Sequence, residues 1–188
     1  MISLSPLTAQ FTKLGGGITA STGLYFNNEV FSDHRTGNPA LTLTAIYELN
    51  LPFHLSPSFT YFLPNVSKYS SLTGGSSKHV VSCMMFDVNG HYVLNSLDRF
   101  EIYALAGLDF TFLRNKMVSE YLETTYKDAS SESAIGLNIG AGTYFKLTDQ
   151  FDIYGEAKYI VSKYDQFVFT AGVLINIDWL IKHQNDTE

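Results

Sequence analysis

Two groups of side chains in this sequence could do chemistry. The first is Glu48, His54, Asp87, His91, Glu101, Asp109, Glu156 and Lys158, which all fall on the polar side of segments that alternate polar and apolar residues. Carboxylates, imidazoles and an amine gathered in one low-dielectric space are the material of general acid–base catalysis. Spacing argues against it for the pair closest to a dyad. Asp87 and His91 stand four residues apart on one extended segment, ~13 Å at the usual strand rise, so they cannot act on each other directly. The plainer role is an internal network of ion pairs and hydrogen bonds, because charge withdrawn from water must be paired. If Tyr92 pairs with Phe100, His91 stands opposite Glu101 and forms an ion pair with it.

The second group is His34 and His79, with Asp33 and Ser77 close by in polar stretches. A hydrolase or acyltransferase could use such residues, but their spacing singles out nothing and Gly-x-Ser-x-Gly is absent. No histidine pair has metal-ligand spacing, and no glycine run leads to a P-loop lysine. The sequence therefore assigns no catalytic residue, no metal and no cofactor. Cys83 is the single cysteine, which excludes an intrachain disulfide and suits a small interior side chain.

The elements that position these groups are strands. From Ala134, the residues Ile135, Leu137, Ile139, Ala141 and Phe145 share one face and Gly136, Asn138, Gly140, Gly142, Tyr144 and Lys146 the other. After Leu147-Thr148-Asp149-Gln150 the alternation resumes with Phe151, Ile153, Ala157, Tyr159 and Val161, and again from Gln166 to Ile177. Period two over such lengths is a β signal that no helix produces. Further alternating runs cover Leu14–Phe26, Ala40–Leu49, Phe53–Leu63, His79–Leu94 and Phe100–Phe112. Pro57 interrupts the third of these and predicts a bulge, since it cannot donate to a ladder. The long connections are expected at Asn27–Asn38, Pro64–Ser77 and Arg114–Glu132, and a short turn at Asn95–Asp98.

About eight strands result, each near the roughly 9–11 residues that cross a bilayer when tilted. Long and short connections alternate, as in barrels with tight periplasmic turns and long external loops. Charged residues make up 16% of the 188, against roughly 25% in ordinary soluble domains, and aromatics reach 14%. That composition suits an outer face in lipid, and the net charge of −6 argues against nucleic acid. No apolar run approaches the ~20 residues of a transmembrane helix. Met1 does not open a complete signal peptide, although Leu7-Thr8-Ala9 resembles the end of a cleavage site, as a truncated or misplaced start would leave.

The face that points inward decides between a membrane barrel and a soluble, lipocalin-like carrier of an apolar ligand. Gly15, Gly17, Gly107, Gly136, Gly140, Gly142 and Gly172 share the face of the ionisable residues, a density that suits a crowded interior. On the apolar face, aromatics bracket the short turns (Tyr47 and Phe53, Tyr92 and Phe100, Phe145 and Phe151), and Phe26, Tyr61, Phe112, Tyr159 and Phe167 form an opposite row. Two such girdles mark a bilayer's two interfaces. The expectation is an all-β, eight-stranded, antiparallel up-and-down transmembrane β-barrel over residues 11–180, after an N-terminal segment 1–10 and before a polar periplasmic tail 181–188.

The run Gly136-Leu137-Asn138-Ile139-Gly140-Ala141-Gly142, then Tyr154-Gly155-Glu156-Ala157-Lys158-Tyr159 and Tyr164-Asp165-Gln166-Phe167-Val168, resembles small outer-membrane β-barrel proteins of Bacteroidota, the OmpA/OmpX-like and PorT-like group. Ala104-Leu105-Ala106-Gly107-Leu108 and Asp87-Val88-Asn89-Gly90-His91-Tyr92 resemble the same group's central strands. Thr170, Gly172, Ile175 and Ile177 resemble its terminal-strand insertion signal, although the chain runs on through Trp179 to Glu188 instead of stopping at an aromatic. The resemblance implies the outer membrane of a Gram-negative bacterium, with outer-membrane lipid and other envelope proteins as partners. An eight-stranded barrel is filled by its own side chains, which disfavours a pore. The expected role is non-enzymatic: an accessory subunit of a secretion or assembly complex, or a surface binding protein acting through its long loops. The alternatives are the rim hydrolase or acyltransferase and the soluble carrier.

Overall fold

The computed structural model describes residues 11–22, 39–50, 52–70, 76–121 and 124–177. Its strands are β1 (Lys13–Ser21), β2 (Pro39–Asn50), β3 (Phe53–Phe62), β4 (Asn65–Ser70), β5 (Ser76–Leu97), β6 (Phe100–Tyr121), β7 (Thr124–Lys146), β8 (Phe151–Val161) and β9 (Gln166–Asn176). They lie antiparallel in the order β3-β2-β1-β9-β8-β7-β6-β5-β4. Pairing of β3 with β5 closes eight of them into a ring. Strand β4 continues β3 along β5 after a break at Leu63-Pro64, where proline has no N–H to give the ladder.

Alternation becomes orientation once the ring closes. Ile18, Leu43 and Ile135 point outward and are 65–69% exposed, while Asp87 and Asp109 on the other face are 0% exposed. An apolar wall around a polar lumen is an arrangement for lipid, not for a soluble carrier. The inner face has two apolar plates. One, toward the end with the longer strands, holds Phe62, Cys83, Met85, Leu113, Ile160, Tyr164 and Val168; the other holds Ile46, Tyr103, Leu105, Tyr144, Tyr154 and Leu174. Lumen glycines make room for the second plate. A Cβ on Gly172 would sit 2.6 Å from the Tyr154 ring, and one on Gly142 would run into the Tyr103 ring.

Three local expectations fail. Pro57 causes no bulge: it registers with Val88 in an uninterrupted β3–β5 ladder, and the β2–β3 pairing omits Ala45 and Ile46 opposite Pro57 and Ser56. The Pro64–Ser77 connection is largely the β4–β5 hairpin. Arg114–Glu132 is not a loop either, because β6 and β7 continue through it as strands of 22 and 23 residues. Polar residues hid the strands there, since alternation of apolar with polar fades once neither face is lipid. The N-terminal segment 1–10, Leu24, Phe26, the Asn27–Asn38 loop and the tail 181–188 lie outside the described residues.

Candidate functional site

Between the two apolar plates lies an ionic layer. Lys158 Nζ donates to Asp87 Oδ2 at 2.7 Å, with the two side chains 4% and 0% exposed. Asn138 Nδ2 donates to Asp87 Oδ1 and to Asn89 Oδ1, both at 2.8 Å, and Ser58 Oγ donates to Asp87 at 3.3 Å. Thr111 Oγ1 donates to Asp109 at 2.6 Å. Toward the short-turn end, His91 Nδ1 lies 2.7 Å from the Tyr144 hydroxyl and His91 Nε2 lies 3.6 Å from Glu156. The Tyr103 ring stacks on His91 at 4.2 Å and on Tyr144 at 4.6 Å, and its hydroxyl donates to Glu156 at 3.3 Å. Lys13 closes this end with Asp152 at 2.8 Å. The arrangement pairs Lys158 with Asp87 and Lys13 with Asp152, and it leaves Asp109 Oδ2 and Asn138 Oδ1 buried with no hydrogen-bond partner among the described residues.

The opposite end is built differently. Strand β8 pairs with β7 only as far as Leu137↔Val161, whereas β6 stays registered with β7 up to Tyr121↔Thr124. Among the described residues, 124–136 of β7 therefore have a ladder partner on one side only. With β4 and the first part of β5 they form a four-stranded sheet that rises beyond the barrel wall. At its base the β8–β9 turn is pinned to β7. Lys163 Nζ donates to Glu132 at 2.8 Å, the Tyr164 hydroxyl donates to the same carboxylate, and Ser162 N donates to Asp165 at 2.8 Å. These bonds, Lys163 first, hold the Glu132 carboxyl below its usual range.

A family model described as outer membrane protein beta-barrel domain matches residues 1–176. The chain belongs to that family. No curated protein sequence matches it. Among solved structures, Ail of Yersinia pestis, in complex with the heparin analogue sucrose octasulfate, is similar at a TM-score of 0.54 and 14% identity, covering 88% of this chain and 99% of that one. A major outer membrane protein from Thermus thermophilus is similar at a TM-score of 0.54 and 11% identity, covering 87% and 98%. Identities this low speak for the fold alone. The family and the lipid-facing wall together place the protein in the outer membrane, in contact with its lipid.

Of the eight ionisable residues singled out in the sequence, Asp87, His91, Asp109, Glu156 and Lys158 meet in the lumen, and buried His54 lies opposite His91 in the β3–β5 register. Glu48 is half-exposed at the short-turn mouth, 3.8 Å from Lys13. The expected His91–Glu101 pair does not form. The turn is only Asp98-Arg99, and a bulge between Val93 and Asn95 shifts the register so that His91 meets Leu105 and Glu101 meets Ser96. Glu101 then accepts from Ser96 Oγ at 3.1 Å. Sequence reasoning missed Lys13, Asn138, Asp152 and the tyrosine stack. Asn138 and Tyr144 stood on the glycine-rich face, and a large side chain among glycines was the available signal. At the other end, Ser77 Oγ lies 3.3 Å from Ser119 Oγ, and His79 registers with Ser67 and Met117. Asp33 and His34 lie outside the described residues. On β9, Thr170 bonds Thr19 at 2.9 Å, Gly172 registers with Gly17, and Ile175 is 38% exposed on the outer wall.

Proposed function

We propose that this chain is a non-enzymatic surface-binding barrel, with the sheet beyond the external end as its working part. The observation that carries the reading is the flank of β7 away from β6 over residues 124–136, which no strand among the described residues pairs with. An exposed strand edge offers main-chain N–H and C=O groups that an extended segment of a partner can pair with. The run Thr124 to Ala134 has no proline to spoil that edge, and Tyr126, 75% exposed, adds an aromatic anchor. The self-plugged lumen supports the same division of labour: the barrel is the mount, and the sheet is the reader.

The test replaces residues 115–130 by Asn-Gly, joining the registered Arg114 and Ser131 through a two-residue turn. Folding is checked by the gel-mobility difference between unboiled and boiled samples. Cross-linking on intact cells should give a defined adduct with the native chain, lost in the trimmed one and in Ser130→Pro. An adduct that survives trimming would refute the reading.

A second reading, a PorT-like accessory subunit among other envelope proteins, is favoured by one feature of the wall. A groove of about 970 Å³ crosses the lipid face, floored by Ala20, Ala141, Gly155, Ala157 and Ala171 and rimmed by Ile18, Phe100, Ile102 and Phe169. Adducts mapping to this groove, and not to β7, would support the subunit. In either reading Thr170, Gly172, Ile175 and Ile177 are proposed as the insertion signal. Ile175→Thr, on the exposed outer wall, should then slow assembly while the barrel that does assemble keeps its unboiled gel shift.

A further inference from the structure

Charge on the external sheet is sorted by face. Outward parity on β5 runs from lipid-facing Phe86 and Met84 through Ser82 and Val80 to Lys78. On β6 it runs from Phe112 through Arg114 and Lys116 to Val118, and on β7 from Ile135 through Ser133, Ser131 and Ala129 to Lys127. Lys68 of β4 joins the same face opposite Lys78. Five exposed cations, Lys68, Lys78, Arg114, Lys116 and Lys127, therefore share the face that continues the lipid-contacting wall. Asp128 and Glu132 lie on the other face, toward the mouth. Among residues whose side chains are described, no carboxylate shares the outward face; Glu120 stands on the same parity at the outer end of β6, in register with Ser76 and Thr125. None of the five cations takes part in an ion pair among the described residues.

The cations are also packed against one another. Lys68 and Lys78 are direct cross-strand partners, and Lys116 is diagonal to both Lys78 and Lys127. Like charges placed directly opposite destabilise a sheet. In a chain of net charge −6 whose described carboxylates on this sheet, Asp128 and Glu132, lie on the far side, this clustering calls for an external anion.

Height selects which anion. Arg114 and Lys116 follow Phe112, itself 50% exposed to lipid, by two and four residues. At the usual rise, corrected for strand tilt, that is roughly 5 and 10 Å beyond the apolar band. The headgroup layer outside the hydrocarbon is about 5–8 Å thick. Arg114, flanked on its face by Ser82 and Ser131, thus sits level with headgroup phosphates, and the row Lys68, Lys78 and Lys127, in register with Val118, stands roughly 15 Å beyond the band, above the headgroup layer. We propose that the outward face of the external sheet is a binding site for phosphorylated glycolipid headgroups of the outer leaflet. Arg114 and Lys116 take the membrane-proximal phosphate, and the upper lysines take anionic groups on the projecting sugars. This site does not depend on the β7 edge, so either proposal can fail alone.

The test uses the full barrel in nanodiscs of phosphatidylcholine with a minor fraction of diphosphorylated lipid A, and counts retained lipid by native mass spectrometry. The native chain should retain lipid A selectively. Arg114→Gln with Lys116→Gln should cut the selectivity about five-fold per charge removed, as should Lys68→Gln with Lys78→Gln. Lys163→Gln, on the mouth side, serves as the control and should change nothing. Raising salt should weaken the selectivity as well. Equal retention by the native and glutamine chains overturns the proposal. So does tight binding of a soluble sulfated polysaccharide by the same five residues with no lipid A selectivity, which would assign the face to a free polyanion. The unboiled gel shift verifies that each variant is folded.

Discussion

Lys158→Met is the sharpest probe of the lumen. Lys158 and Asp87 are withdrawn from water and meet at 2.7 Å, so removing the cation leaves a carboxylate in the barrel interior. Breaking a buried pair from one side costs about 3–5 kcal/mol. Here Asp87 keeps Asn138 at 2.8 Å and Ser58 at 3.3 Å as neutral donors, which places the loss at the lower end, about 3 kcal/mol. Asp87→Asn combined with Lys158→Met removes both charges and preserves the contact with Asn138. The double variant should lose no more than about 2 kcal/mol and be more stable than Lys158→Met alone. The assay is reversible urea unfolding in lipid vesicles, followed by aromatic fluorescence and by the mobility of unboiled samples. A single variant within about 1 kcal/mol of the native chain, or a double variant weaker than the single, would refute the idea that this pair anchors the lumen.

Other outcomes follow from the same geometry. Ile139, 63% exposed near the middle of the wall, should cost about 2–4 kcal/mol when changed to Arg in a bilayer; a neutral result would contradict the lipid-facing assignment. Cys83 is 3% exposed within the upper apolar plate, so a maleimide should label it in the unfolded chain and leave the folded barrel unmodified. Gly142→Val should block folding through the Tyr103 ring, with partial rescue by Tyr103→Leu read on unboiled gels. The Glu132 carboxyl is held below its ordinary range by Lys163 and then Tyr164, so its stabilisation is present above the unfolded value near ~4.3 and is lost as pH falls through the lowered folded value. Amide protection in the 162–165 turn should therefore be flat from pH 5 to 8 and drop in stronger acid. In Glu132→Gln that acid step should vanish.

Parity was fully legible in the sequence. Counting by twos puts Asp87, Asp109, Glu156 and Lys158 on one face and Ile139, Phe169 and Val173 on the other, because a strand has no other way to present its side chains. Distance around the ring was not legible. Lys158 on β8 and Asp87 on β5 meet across the lumen only because of strand number and stagger, which are properties of the closed sheet and not of any one segment. The His91 partner shows how fragile such inference is. A two-residue turn in place of a longer one, plus a single bulge, moved Glu101 away and left Glu156 as the neighbouring carboxylate.

The external sheet carries the same lesson in reverse. Across Arg114–Glu132 the alternation of apolar with polar gives out, and a segment without it reads as loop. Yet the alternation of the backbone itself does not stop at the membrane edge. It continues through Arg114, Lys116 and Val118 in step with Phe110 and Phe112, and the outward face changes from hydrocarbon-facing to cationic where the surroundings change from acyl chain to headgroup. A strand that outlasts the bilayer must present to each layer it crosses a side chain that layer tolerates. Loops would meet that requirement only loosely. Ladder-paired strands meet it at fixed heights, and this is the physical reason for extending β5, β6 and β7 as strands when shorter ones and loose connections would have closed the same barrel.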